Sequence, residues 1–108
     1  MKMPKTIKQQ DALAILANVP EEKVFWCNDG RIFKNMRELS DGLASMTEAT
    51  FGYHVNKEKN DFANWVRDVI KDEDLARNIS KATNRVQAAR VVANRVATLE
   101  RISNIAKY

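Results

Sequence analysis

The chain is short of the residues that define chemistry most sharply. Its 108 positions hold one cysteine, one histidine, two prolines and three glycines. A lone cysteine, Cys27, excludes an internal disulfide and argues against a cysteine-based metal site. It reads as a half-buried structural residue, because a free cysteine behaves as a small hydrophobe. No apolar run approaches the roughly 20 residues of a bilayer-spanning helix. The N-terminal segment starts basic, but its apolar stretch is short and is interrupted by Asp11. This reads as a cytoplasmic chain without a signal peptide, with no membrane partner. His54, the only imidazole, stands among scattered acids with no nucleophile or paired carboxylate at a recognisable spacing. One histidine is also too little for a zinc site. The pattern therefore predicts no enzyme and no cofactor, and gives His54 a structural role, bonded to a neighbouring carboxylate or cap.

What the chain does contain is ordinary globular material, 44% hydrophobic and 30% charged. A domain of this size buries about 65% of its unfolded surface, enough for one core and too little for a deep cleft. The charge is unevenly placed. From Leu75 onward seven basic residues face one acid, Glu100, whereas the first 74 residues hold 11 basic and 13 acidic side chains. The sequence thus divides into a compact helical body, 1–74, and a basic C-terminal helix, 75–108, that packs on the body and extends from it.

Taken in order, residues 1–4 read as frayed, and Thr6 as the cap of a short amphipathic helix carrying Ile7, Leu13, Ile15, Leu16 and Val19. Val24, Phe25 and Trp26 have high β preference, Asn28-Asp29-Gly30 is a turn signal, and Ile32 and Phe33 follow, which together predict a short hairpin lying on helices. Asn35 with Glu38 reads as a capping box opening a helix over 36–46, whose buried stripe is Met36, Leu39, Leu43 and Met46. Gly42 inside it either weakens the helix or marks a close contact. Thr47 caps a segment of about 48–55, with Phe51 and Val55 paired. Asn60 or Asp61 opens a further helix whose face is Phe62, Trp65, Val66, Val69 and Ile70. That helix should end near Lys71, where Asp72-Glu73-Asp74 caps the last element. The expected core is Leu13, Leu16, Leu39, Leu43, Met46, Phe51, Phe62, Val66, Val69 and Leu75. The fold class is mainly α, with four to five helices and at most one short hairpin.

From Asp74 to Ala106 there is neither proline nor glycine. Leu75, Ile79, Ala82, Val86, Ala89, Ala93 and Val96 step by 4, 3, 4, 3, 4 and 3, a heptad-like seam. One helix over this stretch would be about 48 Å long, more than the body can cover. The alternative is a break near Asn84 or Asn94, which no glycine or proline supports. The continuous reading predicts self-association, as a homodimer, through Ile79, Ala82, Val86, Ala89, Ala93 and Val96. At 100° per residue, Arg77, Lys81, Arg85 and Arg95 fall within about 80° of one another, while Arg90 and Arg101 lie elsewhere. The first four form a candidate stripe for nucleic-acid phosphates, in competition with simple solvation.

Trp65 shares a face with Phe62 and Val69 and reads as core. Trp26, just before a turn, reads as half exposed and, with His54, as a possible surface for an unknown protein partner. These residues carry a resemblance too. Phe25, Trp26 and Asp29-Gly30 are followed by Leu39, Leu43 and Met46, by Tyr53-His54-Val55-Asn56, and by Lys59-Asn60-Asp61-Phe62-Ala63 with Trp65. Asp68-Val69-Ile70, Asp72-Glu73 and Leu75-Ala76 complete the series. The stretch 25–76 resembles a small prokaryotic domain family of unknown function with a YHVN…KNDFANW signature. The resemblance implies no activity. It departs at Lys71, where the family pattern has glycine, and lysine predicts a smoother run between the flanking helices. The sequence therefore predicts a non-enzymatic interaction module that self-associates, with nucleic-acid binding as the alternative.

Overall fold

Residues 7–104 are described by the structure, a computed structural model. The expected cap at Thr6, the frayed start, and the end of the apolar stripe at Ile105 and Ala106 lie outside the described residues. Helix α1 (Gln9–Leu16) leads through a 3₁₀ turn (Glu21–Lys23) into strands β1 (Phe25–Trp26) and β2 (Ile32–Phe33). Five helical segments follow: α2 (Met36–Ser45), α3 (Glu48–His54), α4 (Asp61–Trp65), α5 (Glu73–Lys81) and α6 (Arg85–Asn104). The chain is mainly α with one antiparallel hairpin, in the register Phe25↔Phe33 and Trp26↔Ile32.

Helix starts follow side-chain chemistry. Asn35 accepts from the Glu38 N–H at 2.8 Å, and the Glu38 carboxylate accepts from the Lys34 N–H at 2.9 Å. Thr47 and Asn60 accept from the N–H groups of Thr50 and Ala63. Each such cap satisfies an amide that the helix leaves unpaired, and contributes about 1 kcal/mol. At the hairpin turn Gly30 takes φ +95°, where a glycine is free of steric cost.

The core is one cluster drawn from both sides of position 74. Met36, Leu39, Leu43, Phe62, Val66, Val92 and Leu99 are fully inaccessible, and Leu75 and Ile79 nearly so. Each large apolar side chain withdrawn from water in this way contributes about 1.5–3 kcal/mol. Phe25 is the hub on the hairpin side, with ring centroids 5.0 Å from Phe62, 5.9 Å from Phe33 and 5.9 Å from Trp65. The close helix contact is real at Gly42, where a Cβ would collide with the Phe33 ring.

Three expectations are corrected. The continuous C-terminal helix is broken at residues 82–84, so there are six α-helical segments, and α6 packs along α1 and α2 rather than extending away. The break is a capped start: Asn84 accepts from the Gln87 N–H at 2.8 Å, while Gln87 accepts from the Thr83 N–H and hydroxyl at 3.0 Å each. Lys71 does not smooth the preceding junction. Beyond Trp65 the helix widens into a π turn over Val66–Ile70, and Lys71 then sits in the left-handed region at φ +72°. Finally, Leu13 is 53% exposed and Ala12 takes the core position. Ala12 and Leu16 are one helical turn apart, and the small residue lets α1 approach its neighbours. Phe51 and Val69 pack on the core only partly buried.

Candidate functional site

His54 is held between two elements. Its Nε2 accepts from the Asn28 N–H at 2.9 Å, and its Nδ1 lies 3.0 Å from the Asp61 carboxylate. A backbone amide only donates, so Nε2 carries the lone pair and the Nδ1 proton is donated to Asp61. Burial pushes the Asp61 carboxyl up, but the His54 N–H and the Lys59 ammonium at 3.0 Å outweigh it and hold the group below the ordinary aspartate value. The ring is buried against Phe25, Phe62 and Tyr53, and is no part of an exposed surface. This joint pins the hairpin turn to the α3–α4 connection. Cys27 is buried beside it, and burial pushes its thiol up, away from the reactive thiolate. Among the described residues no three His, Cys, Asp or Glu side chains are placed to share a metal ion. No described helix is long and apolar enough to cross a membrane.

The hairpin separates the two tryptophans. Trp65 lies beneath it and donates its indole N–H to the Lys23 carbonyl at 2.8 Å. Trp26 lies on the outer face, 70% exposed, opposite its cross-strand partner Ile32, which is 43% exposed. Alternation along two-residue strands places Phe25 and Phe33 inward and these two outward. The turn is tied locally: Asp29 accepts from the Arg31 N–H and guanidinium at 3.0 Å each, which holds its carboxyl at about 2.

The expected arginine stripe is not one surface. Arg77 pairs with Asp74 at 3.1 Å on the exposed side of α5. Arg85 pairs with Glu48 at 2.7 Å and donates to the Leu43 and Ala44 carbonyls, closing the C-terminus of α2. Arg95 forms a two-pronged pair with Asp72, Nε to Oδ2 at 2.7 Å and Nη2 to Oδ1 at 2.9 Å. Asp72 in turn accepts from the Leu75 N–H and starts α5. Two of the four guanidinium groups are therefore structural, and only Lys81 lacks a carboxylate within 4.0 Å among the described residues. The expected seam is split as well. Ile79 and Val96 are buried in the chain's own core, Ala82 and Ala89 are half-buried, and Val86 and Ala93 are exposed. The six cannot act together in the folded chain. The helix break resets the angular phase, so α6 buries Ala88, Val92, Val96 and Leu99 instead.

Sequence spacing set Arg90 and Arg101 aside, and these are the arginines that α6 presents to solvent without a carboxylate partner among the described residues. Their common phase was visible in the sequence, since 11 residues bring a helix back within about 20°. Beside them runs an open groove of about 420 Å³ between α5 and α6, polar at Asn78, Lys81, Gln87 and Asn94 and floored by Leu75 and Val91. Most of the residues that carry the family resemblance, Asn60, Asp61, Phe62, Trp65 and Asp72 among them, act as caps, joints and core. Compared with protein-family models, with curated proteins and with solved structures, the chain gives no match in any of the three.

Proposed function

We propose that this chain is a non-enzymatic interaction module that takes a protein partner on the outer face of its hairpin. The observation that carries the reading is Trp26, held 70% exposed on a strand whose other face is locked into the core. Tryptophan supplies a large contact area with few rotatable bonds, and it is over-represented among the residues that dominate binding energy. Ile32 beside it widens the apolar patch. Exposure of this kind on a small domain marks a binding surface more often than chance placement of single residues. The buried His54 joint, with its nitrogens both engaged, supports a positioning role for that residue and no chemistry at the surface.

The test is a photo-cross-linking amino acid placed at position 26 of the full chain in its native cells. A discrete adduct is expected, identified by mass spectrometry and missing when the cross-linker sits at exposed Lys57 instead. A second copy of this chain in that adduct would make the module a homodimer, now through the hairpin. No adduct at position 26, or the same adduct from both positions, would falsify the reading.

A further inference from the structure

We infer that the α5–α6 groove and the arginine ridge beside it form a nucleic-acid face whose ligand is the phosphodiester backbone of a duplex. This surface is separate from the hairpin and does not rest on the reading given for it. Three cations meet here without a carboxylate within 4.0 Å among the described residues: Lys81 on the groove wall, and Arg90 and Arg101 on α6. The nearby acids are already engaged. Asp74 holds Arg77, Asp72 holds Arg95, and Glu100, the one acid of α6, pairs with Arg37 at 2.7 Å. The remaining polar groups are neutral. Asn78 and Asn94 line the groove, and Gln87, whose oxygen serves Thr83, has its amide N–H groups left to donate. The surface is thus positive and rich in donors, complementary to phosphate oxygens.

Spacing favours an extended polyanion over a small one. Arg90 and Arg101 point the same way, about 16 Å apart along the helix axis, or roughly five steps of 3.4 Å along one strand of a duplex. Exposed Ala93 and Ala97 lie between them and leave room for close approach. No aromatic side chain lines the groove, so bases have nothing on which to stack. That favours a paired duplex over a single strand, which proteins hold largely by stacking. An acidic protein surface would meet the same charges, but beyond Val86 the face lacks a large apolar anchor.

Fluorescence anisotropy of the full chain with labelled DNA and RNA duplexes of about 20 base pairs, the matching single strands and polyglutamate, across a salt series, tests this. The expected result is duplex binding with a log–log salt slope of about −2.7, three phosphate contacts at about −0.9 each. Arg90→Ala/Arg101→Ala should weaken binding at least tenfold and reduce that slope by about 1.8. Arg67→Ala, on another face and paired with Asp68, should change nothing. Comparison of the DNA and RNA arms names the duplex. The three altered residues are exposed, so unchanged circular-dichroism melting separates lost contacts from lost fold. No duplex binding at low salt, indifference to the double variant, tighter binding of single strands, or equal binding of polyglutamate each overturns the inference. Trp26→Ala should leave duplex affinity intact, so failure here is distinguishable from failure of the hairpin reading.

Discussion

Two corners of the core each bury a polar side chain to lock a connection in place, and they do it with different electrostatics. At the hairpin corner, His54 sits between a backbone amide and Asp61, and a single proton on Nδ1 satisfies both contacts. At the helix corner, Asp72 is buried as a hydrogen-bond acceptor for both Arg95 and the Leu75 amide. The first joint works by direction: a donor and an acceptor arranged around one ring. The second works by charge, with a carboxylate 2% accessible facing a guanidinium 21% accessible. A charge pair withdrawn from water is strongly destabilising to half-remove, whereas a directional joint loses only its hydrogen bonds. The two corners should therefore fail in different ways.

The largest effect is expected at the helix corner. Arg95→Met strands the buried Asp72 carboxylate and should cost about 3–5 kcal/mol in urea unfolding. Adding Asp72→Asn, which keeps a good helix cap, should recover a large part of that loss. Additive losses in the double variant would show that the two side chains do not depend on each other. His54→Phe keeps a ring in the aromatic cluster but leaves the Asn28 amide without its acceptor, for an expected cost of about 1–3 kcal/mol. A cost equal to that of Arg95→Met would erase the contrast between the corners. The smallest effect tests the bend that delivers Asp72 to Arg95. Lys71→Gly relieves a left-handed backbone while adding freedom to the unfolded chain, and should stabilise by about 0.5 kcal/mol. A loss of more than about 1 kcal/mol on the same unfolding curve would show that Lys71 does more than turn the chain.

Much of this was legible in the sequence, and the misses share a cause. Asn35 with Glu38 announced α2 because an amide acceptor three residues before a carboxylate is a positive start signal. Asn84 with Gln87 is the same signal, with Thr83 standing where Lys34 stands. It was passed over because the stretch has neither glycine nor proline, yet a helix is ended as surely by a competing cap as by a breaker. Every angular inference across that point then inherited the error. The arginine stripe and the seam both counted 100° per residue through a gap where the phase is lost. Lys71 was misread for a related reason, since local propensity gave way to the Asp72 cap and the Arg95 pair just beyond it. Trp26 was placed at the surface by its neighbours in the turn, but its degree of exposure depends on which strand face meets α2. No local pattern carries that.

Gly42 has a consequence for recognition. Two-residue strands cannot hold themselves rigid, and this hairpin borrows its rigidity from the Phe33 ring seated against bare backbone on α2. Trp26 therefore stands on a mount that is already immobile before any partner arrives, and little ordering entropy remains to be lost on contact. The same seat ties the evolution of surface and interior together. A side chain at position 42 would unseat Phe33 and tilt the outer face with it, so this binding surface can vary in its outward residues while a glycine three helical turns from none of them stays fixed.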